Sequence, residues 1–283
     1  MREEVKERRW WWGVVERMKA WAMWDPSVKE ATMPCTLPPE ILDLVIDHLH
    51  DEPTTLKACC VVSKSWVPRT RKHLFARVDF RAVELSVERW KKNFPDPSNS
   101  PAHHTRTLCI RDLPTLTAED TEVGGWIRSF HNVVQLRLEH ITWEGPQSPL
   151  IHFHGLSSTV RSLSLACTSF EVFDLICSFP LLEDLGLILL TAGSAGGWTA
   201  PLTSPRFTGS MALTARAGGI RPAVQRLLNL PNGLHFSKIK VSCFDEEDAR
   251  AVTDLVSRCS STLETLDVGN FLTGGFSSVS AIA

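Results

Sequence analysis

Two stretches near the start of the chain space their apolar residues as an amphipathic helix does. From Pro38 apolar residues recur at positions 38, 41, 42, 45, 46 and 49, and a second pattern runs from Leu56 to Trp66, before Pro68. Residues three and four apart share one side of a helix. A proline and Glu40 suit a first helical turn, where proline's missing N–H would be unpaired anyway and the carboxylate meets the positive dipole end. With a third apolar pair at 74–75, the pattern predicts three helices.

An apolar-any-apolar motif recurs seven times beyond residue 104. Its successive spacings are 28, 27, 22, 26, 28 and 27 residues. A period in the twenties is typical of repeat architectures, in which each repeat contributes one strand and a returning segment. We therefore expect a parallel strand at each motif. The motifs are Leu108-x-Ile110, Leu136-x-Leu138, Leu163-x-Leu165, Leu185-x-Leu187, Met211-x-Leu213, Ile239-x-Val241 and Leu266-x-Val268.

Several segments between the motifs predict return helices. One is expected to start at Thr117–Asp120 and to bury Val123, Trp126, Ile127 and Phe130 on one face. Another is expected to start at the acidic run Asp245–Asp248, which suits a helix amino end. Its predicted buried stripe is Ala249, Val252, Val256 and Cys259. No return helix is predicted between residues 191 and 205, which are rich in Gly, Ser, Thr and Pro.

Changes in composition divide the chain into four predicted parts. Residues 1–33 form a Trp-rich leader that we expect to be poorly ordered, and residues 34–76 form the helical unit. Residues 77–103 are predicted to be a basic connector with a Pro- and Ser-rich linker. Residues 104–283 form the repeat domain, and we expect its C-terminal edge to be uncapped, as in a truncated relative of longer proteins.

Composition and charge place the protein among ordinary globular chains. The 283 residues are 43% hydrophobic and 22% charged, with a net charge of −2 and no apolar run long enough for a membrane-spanning helix. Eight cysteines form no Cys-x-x-Cys pair, which favours reduced thiols and a cytoplasmic or nuclear location. Residues 64–92 have a local charge of +6, which favours a solvated face or an acidic protein over nucleic acid.

The sequence contains no recognisable catalytic constellation. His152-x-His154 would share one side of a strand, but no further ligands stand at metal-binding spacing. The chain has no Gly-rich phosphate loop, no nucleophile elbow and no HExxH motif. We therefore expect no cofactor, no metal and no catalytic residues.

The helical unit resembles the F-box family over residues 35–75. The resemblance is carried by Leu37-Pro38-x-Glu40-Ile41-Leu42, then Val45, Ile46 and Leu49, then Leu56, Val62-Ser63 and Trp66. The chain departs from the family at Ser63, where many members have cysteine, and in a longer loop near residues 51–54. Three helices in about 40 residues leave too much apolar surface uncovered to be comfortably stable alone.

The second half resembles the leucine-rich-repeat region of F-box proteins over about residues 104–272. The asparagine or cysteine that closes such a repeat is matched loosely, by Cys167, Cys243 and Asn270. The expected fold is α+β overall. It comprises a small three-helix F-box followed by an α/β leucine-rich-repeat-like solenoid with parallel strands.

The F-box resemblance implies a non-catalytic substrate receptor of a Skp-cullin-F-box ubiquitin ligase. Such a chain would bind a Skp-type adaptor, and through it a cullin, with apolar residues that its own helices leave uncovered. About half of the candidates are expected to touch the adaptor, and Val45 and Leu56 are the ones most expected to hold the helices together instead. The adaptor-binding candidates are Leu37, Pro38, Ile41, Leu42, Val45, Ile46, Leu49, Leu56, Val62 and Trp66.

The repeats would bind a protein substrate through the polar residues that alternate with the apolar anchors. Their mixed charges favour a protein surface over a phosphate track. Two other interpretations stay open, a scaffold that does not direct ubiquitin and an enzyme with an unrecognised site. The substrate-binding candidates are Arg111, Arg137, Glu139, Ser164, Asp184, Lys238, Lys240 and Asp267.

Overall fold

The computed structural model describes ten segments of the chain, and several predictions fall outside them. The leader, Leu37, the Thr117–Asp120 helix start and most of residues 191–205 are not among the described residues. The described segments are 38–80, 84–96, 99–111, 121–140, 149–167, 172–189, 204–215, 219–243, 246–270 and 277–282.

Residues 38–75 form a small unit of three helices, called the helical head below. Helix α1 spans Pro39–His48, α2 spans Pro53–Val62 and α3 spans Val67–Leu74, with a 3₁₀ turn at Lys64–Trp66. Each helix has a proline in its first turn, where the backbone N–H of any residue would have no partner within the helix, so proline's missing N–H costs no hydrogen bond. The second apolar pattern, which runs to Trp66, is divided: α2 ends at Val62, and Pro68 lies in the first turn of α3.

The described residues beyond the head include a nine-stranded sheet whose strands lie side by side in chain order. Strands β1 to β8 are parallel, and β9 is antiparallel to β8. The chain is therefore α/β overall, rather than α+β as expected. The strands are β1 Arg77–Phe80, β2 Thr107–Arg111, β3 Gln135–Glu139, β4 Ser162–Cys167, β5 Asp184–Leu189, β6 Ser210–Ala215, β7 Lys238–Cys243, β8 Thr265–Asn270 and β9 Ser277–Ile282.

All seven predicted motifs lie in strands and pair in register. The first apolar residue of each motif lies beside that of the next, from Leu108 through Leu136 and Leu163 to Leu266. These side chains are buried or half-buried, whereas the residues between them are mostly half-exposed or exposed. The sheet therefore buries one face, and this explains the strict alternation that made its strands visible in the sequence.

Helices return the chain between most strands and cover the apolar face of the sheet. Trp126, Ile127 and Phe130 are buried as predicted, at and just beyond the end of α5. The remaining helices are α4 Glu84–Asn93, α5 Thr121–Arg128, α6 Val172–Cys177, α7 Arg221–Leu228 and α8 Glu246–Cys259, with 3₁₀ segments at Pro101–His104 and Pro149–Leu156.

The predicted stripe of α8 is only partly right. Val252 and Cys259 are buried and Val256 is half-buried, but Ala249 is exposed. The acidic residue Asp248 is buried and accepts hydrogen bonds from the backbone N–H groups of Ile220 (2.7 Å) and Arg221 (3.2 Å). Asp248 therefore caps the start of the neighbouring helix α7 rather than lying in solvent.

Residues 77–103, predicted to be a connector and linker, contain β1 and α4. Phe80 of β1 packs edge-on against Trp90, Trp126 and Phe130, with ring centroids 5.7, 5.1 and 6.0 Å apart. The head joins this cluster through Phe75, whose ring lies 5.9 Å from that of Trp90. The head and the sheet consequently share one hydrophobic core.

The sheet continues for one strand beyond the last predicted motif. Residues 277–282 form β9, which pairs with β8 from Thr265↔Ile282 to Asn270↔Ser277. The backbone groups at that edge of β8 are thus satisfied by another strand. In the described residues no helix has both the length and the apolar character needed to cross a membrane.

Candidate functional site

The helical head carries most of the large apolar side chains that are exposed in the described segments. Among the described residues six such side chains are exposed, and only Leu181 of these lies outside the head. Exposed large apolar side chains concentrated on one small unit make that unit the candidate interaction surface. The five in the head, called the exposed head residues below, are Ile41 (44% exposed), Leu44 (64%), Val45 (49%), Val61 (39%) and Val62 (66%).

Helix α1 is apolar on two sides, and only one of them is covered. Ile46 is buried, and Leu42 and Leu49 on the same side are half-buried. Ile41, Leu44 and Val45 stand at i, i+3 and i+4 and therefore share a different side, which is exposed. A helix that is apolar on two sides is stable in water when a second body covers the other side.

The ten adaptor-binding candidates separate into exposed and internal residues. Ile41, Val45 and Val62 are exposed, so the expectation that Val45 only holds the helices together is not what the structure shows. The sequence missed Leu44 and Val61, although Leu44 continues the helical spacing of Ile41 and Val45. Of the remaining candidates, Pro38 is exposed, Leu42, Leu49 and Trp66 are half-buried, Ile46 and Leu56 are buried, and Leu37 lies outside the described residues.

A charged brace fixes α1 against α3 and so positions the exposed side of α1. Arg69 of α3 donates from Nε to Asp47 Oδ1 of α1 (2.5 Å) and from a terminal nitrogen to Asp47 Oδ2. His73 Nε2 lies 2.7 Å from Asp47 Oδ1. The hydrogen bonds from Arg69, and then that from His73, hold the pKa of Asp47 well below its usual range.

We expect the substitution Asp47→Asn to destabilise the protein by roughly 1 to 2 kcal/mol, because charge-assisted hydrogen bonds are lost at a site about one-third exposed. A carboxylate with a lowered folded pKa stabilises the fold above its unfolded pKa of about 4 and loses that effect as the pH falls. Urea unfolding should therefore show the largest difference between the two proteins at neutral pH and a smaller difference near pH 2, because the effect is lost fully only below the folded pKa. A difference that grows as the pH falls would contradict the role of Asp47.

The eight substrate-binding candidates all lie on the face of the sheet that the described helices leave uncovered, in three rows that cross it. Arg137, Ser164, Lys240 and Asp267 share the middle row. Asp184 is hydrogen-bonded within the chain: its Oδ1 accepts from the Ser210 N–H (2.6 Å) and lies 2.7 Å from the Ser210 hydroxyl oxygen. Arg111 and Glu139 pair in the row nearer the carboxyl ends of the strands, and Asp184 and Lys238 lie in the row nearer their amino ends.

Charge on this face is arranged in two groups. Arg111 lies 3.6 Å from Asp79 and 3.2 Å from Glu139, and Glu139 also pairs with Arg137. At the other end Lys240 Nζ lies 3.2 Å from Asp267 Oδ2. The strands between them present the uncharged positions 164, 186 and 212 in the same row. The face is therefore suited to a partner with both charge signs rather than to a polyanion.

The predicted histidine pair is not on a strand. His152 and His154 lie in the 3₁₀ segment, where His152 is buried and His154 is exposed, with its Nε2 3.2 Å from the Ser178 hydroxyl. Within the described segments no three His, Cys, Asp or Glu side chains are grouped to hold a metal ion.

Burial raises the pKa of the Cys60 thiol to about 11 and that of the Cys177 thiol to about 12, so both thiols stay protonated at neutral pH.

Comparisons with protein-family models, with curated proteins and with solved structures find no match to this chain. A functional conclusion must therefore be built on two features. One is the sequence pattern of the helical head, and the other is the exposure of apolar side chains that this pattern contains.

Proposed function

We propose that this protein is the substrate-recognition subunit of a Skp-cullin-F-box E3 ubiquitin ligase. The observation that carries the proposal is the set of exposed head residues, which comprises five of the six exposed large apolar side chains in the described part of the chain. They lie in the stretch whose sequence resembles the F-box. An F-box presents apolar side chains to a Skp-type adaptor, and the second apolar side of α1 meets that requirement.

The energetics favour a tight complex. Fully burying one Val, Leu or Ile side chain contributes about 1.5–3 kcal/mol, so a few central anchors offset the entropic cost of association. The head needs little reorganisation to bind, because the brace at Asp47 and the core shared with the sheet already fix α1. A preformed face of this kind loses less conformational entropy on binding, so the entropic cost of association is smaller.

The sheet then has the role of substrate receptor. Its sequential parallel strands and repeat spacing support a leucine-rich-repeat-like solenoid, whose uncovered face offers the mixed charges of Arg137, Lys240 and Asp267 to a protein partner. The chain itself is proposed to be non-catalytic. It would hold a substrate lysine close to a ubiquitin-charged enzyme elsewhere in the assembly, and tethering raises the effective concentration of that lysine.

Co-purification tests the proposal directly. We expect the full chain, co-expressed with a Skp-type adaptor and a cullin, to retain both in stoichiometric amounts through size-exclusion chromatography. Retention of the adaptor without the cullin would favour the scaffold that does not direct ubiquitin. Loss of both would contradict the F-box assignment, provided that the chain itself elutes as a folded species.

A further inference from the structure

A cavity of about 370 Å³ opens at the edge of the sheet where strands β4 to β7 begin. Its lining includes Arg161, which directly precedes β4, Glu183, which directly precedes β5, and Asn232, which lies between α7 and β7. The volume is at the lower end of the range for ligand pockets and fits a few side chains. None of the eight substrate-binding candidates lines it.

The cavity has one positive charge in excess. Arg161 forms an ion pair with Glu183, so these two charges offset each other. Arg206, which also lines the cavity, is exposed and has no carboxylate partner among the described residues. An unpaired guanidinium in a concave site favours a carboxylate, which it can bind through two parallel hydrogen bonds.

A buried hydroxyl adds a second donor. Ser204 is 7% exposed, and its Oγ accepts a hydrogen bond from the Asn232 backbone N–H (3.1 Å). The Asn232 side-chain amide donates to the Ser204 carbonyl, which fixes this wall of the cavity. The Ser204 hydroxyl proton has no acceptor in the part of the chain that is described, so it is available to an anionic group in the cavity.

An apolar side chain stands beside these donors. Leu181 lines the cavity and is 43% exposed, and it is the one exposed large apolar residue found outside the head in the described segments. Pro180 precedes it in the same lining. The cavity therefore combines the guanidinium of Arg206 and the hydroxyl of Ser204 with the apolar surface of Pro180 and Leu181.

We propose that this cavity, called the edge pocket below, binds a short peptide segment in which an acidic side chain stands next to an aliphatic one. The acidic side chain pairs with Arg206 and the Ser204 hydroxyl, and the aliphatic one covers Leu181. None of the lining residues is aromatic, so a stacked nucleobase has no platform there. Glu183 is an acceptor for peptide N–H groups. The edge pocket lies beyond the uncovered face of the sheet, and peptide binding there does not depend on adaptor binding by the head.

Fluorescence anisotropy with defined probes tests the edge pocket in the full chain. The probes are labelled, end-capped peptides in which Glu and Leu are adjacent in either order, together with matched peptides carrying Gln for Glu or Ser for Leu. We expect saturable binding of at least one Glu/Leu probe and about tenfold weaker binding of its Gln counterpart, because a charge-assisted pair is lost. Leu181→Ser should weaken binding of the Glu/Leu probe about three- to tenfold.

The decisive measurement is whether the effect of Arg206→Gln in the protein depends on the Glu-to-Gln change in the probe. Arg206→Gln should remove the preference for Glu over Gln, so that both probes bind equally weakly, whereas independent effects would simply add. Arg106→Gln is the control for Arg206→Gln. Arg106 is also an exposed arginine at the edge where the strands begin, directly before β2, but it does not line the cavity. The proposal is overturned if no Glu/Leu probe binds saturably, if Arg206→Gln leaves the Glu/Gln preference unchanged, or if Arg106→Gln abolishes it equally.

Discussion

Replacing both Leu44 and Val45 by aspartate is expected to weaken binding of a Skp-type adaptor at least about 100-fold. Each substitution removes an aliphatic side chain whose full burial contributes about 1.5–3 kcal/mol, and each places a carboxylate where the complex excludes water. Leu44 and Val45 are 64% and 49% exposed, so the apolar surface that binding can still cover accounts for about 1.7–3.4 kcal/mol, and the buried carboxylates add to this loss. Since every 1.4 kcal/mol is a factor of ten, the sum reaches the predicted effect. Titration of the full chain into labelled adaptor measures it.

The same substitutions should leave the isolated protein folded. Leu44 and Val45 are 64% and 49% exposed, so aspartate at these positions remains in water when no partner is bound. The remaining cost is the lower helix propensity of aspartate, about half a kcal/mol for each residue. Circular dichroism at increasing temperature should show a small shift of the melting midpoint.

Leu181→Asp provides the matched control for Leu44→Asp. Both substitutions exchange an exposed leucine for aspartate, but Leu181 lies at the edge of the sheet and not in the head. The conservative pair Leu44→Met with Val45→Ile should retain binding, because its apolar surface is preserved. Unchanged adaptor affinity in the double aspartate variant, or an equal loss in Leu181→Asp, would refute the assignment of α1 as the adaptor-binding helix.

Much of the sheet could be predicted from the sequence because only one of its faces is buried. Alternation of apolar and polar residues then marks each strand, and seven of the eight parallel strands were located by it. The missed strand, β1, carries the same apolar-any-apolar signal in Val78 and Phe80, 30 residues before Leu108. The basic residues around it led to the prediction of a connector. The antiparallel β9 is serine-rich and lacks the repeated motif.

The proposed binding surfaces were only partly visible in the sequence for a different reason. Helical spacing along ten residues was enough to place Ile41 and Val45 on one side of α1, because a single helix determines that geometry. The edge pocket instead combines turns from residues 161 to 232, and only the register of four strands brings them together. No local sequence pattern predicts that Arg206 and Leu181 lie in the same cavity.

Replacing Phe80 by alanine is expected to lower the free energy of unfolding by about 3–5 kcal/mol. Phe80 is 3% exposed, and three aromatic rings surround it, so the substitution leaves a cavity that the rigid neighbours Trp90 and Trp126 cannot fill. The midpoint of thermal unfolding should fall by roughly 6–20 °C. Urea denaturation of both proteins measures the free-energy difference directly.

This substitution also decides between two descriptions of residues 77–103. In a connector that only links the head to the repeats, Phe80→Ala would change stability by less than about 0.5 kcal/mol, as surface substitutions do. Arg77→Ala is the control on the same strand, because Arg77 is exposed and should show that small effect. If Phe80→Ala were as mild as Arg77→Ala, β1 would not belong to the core. A large loss instead would place β1 in the hydrophobic core that the head and the sheet share.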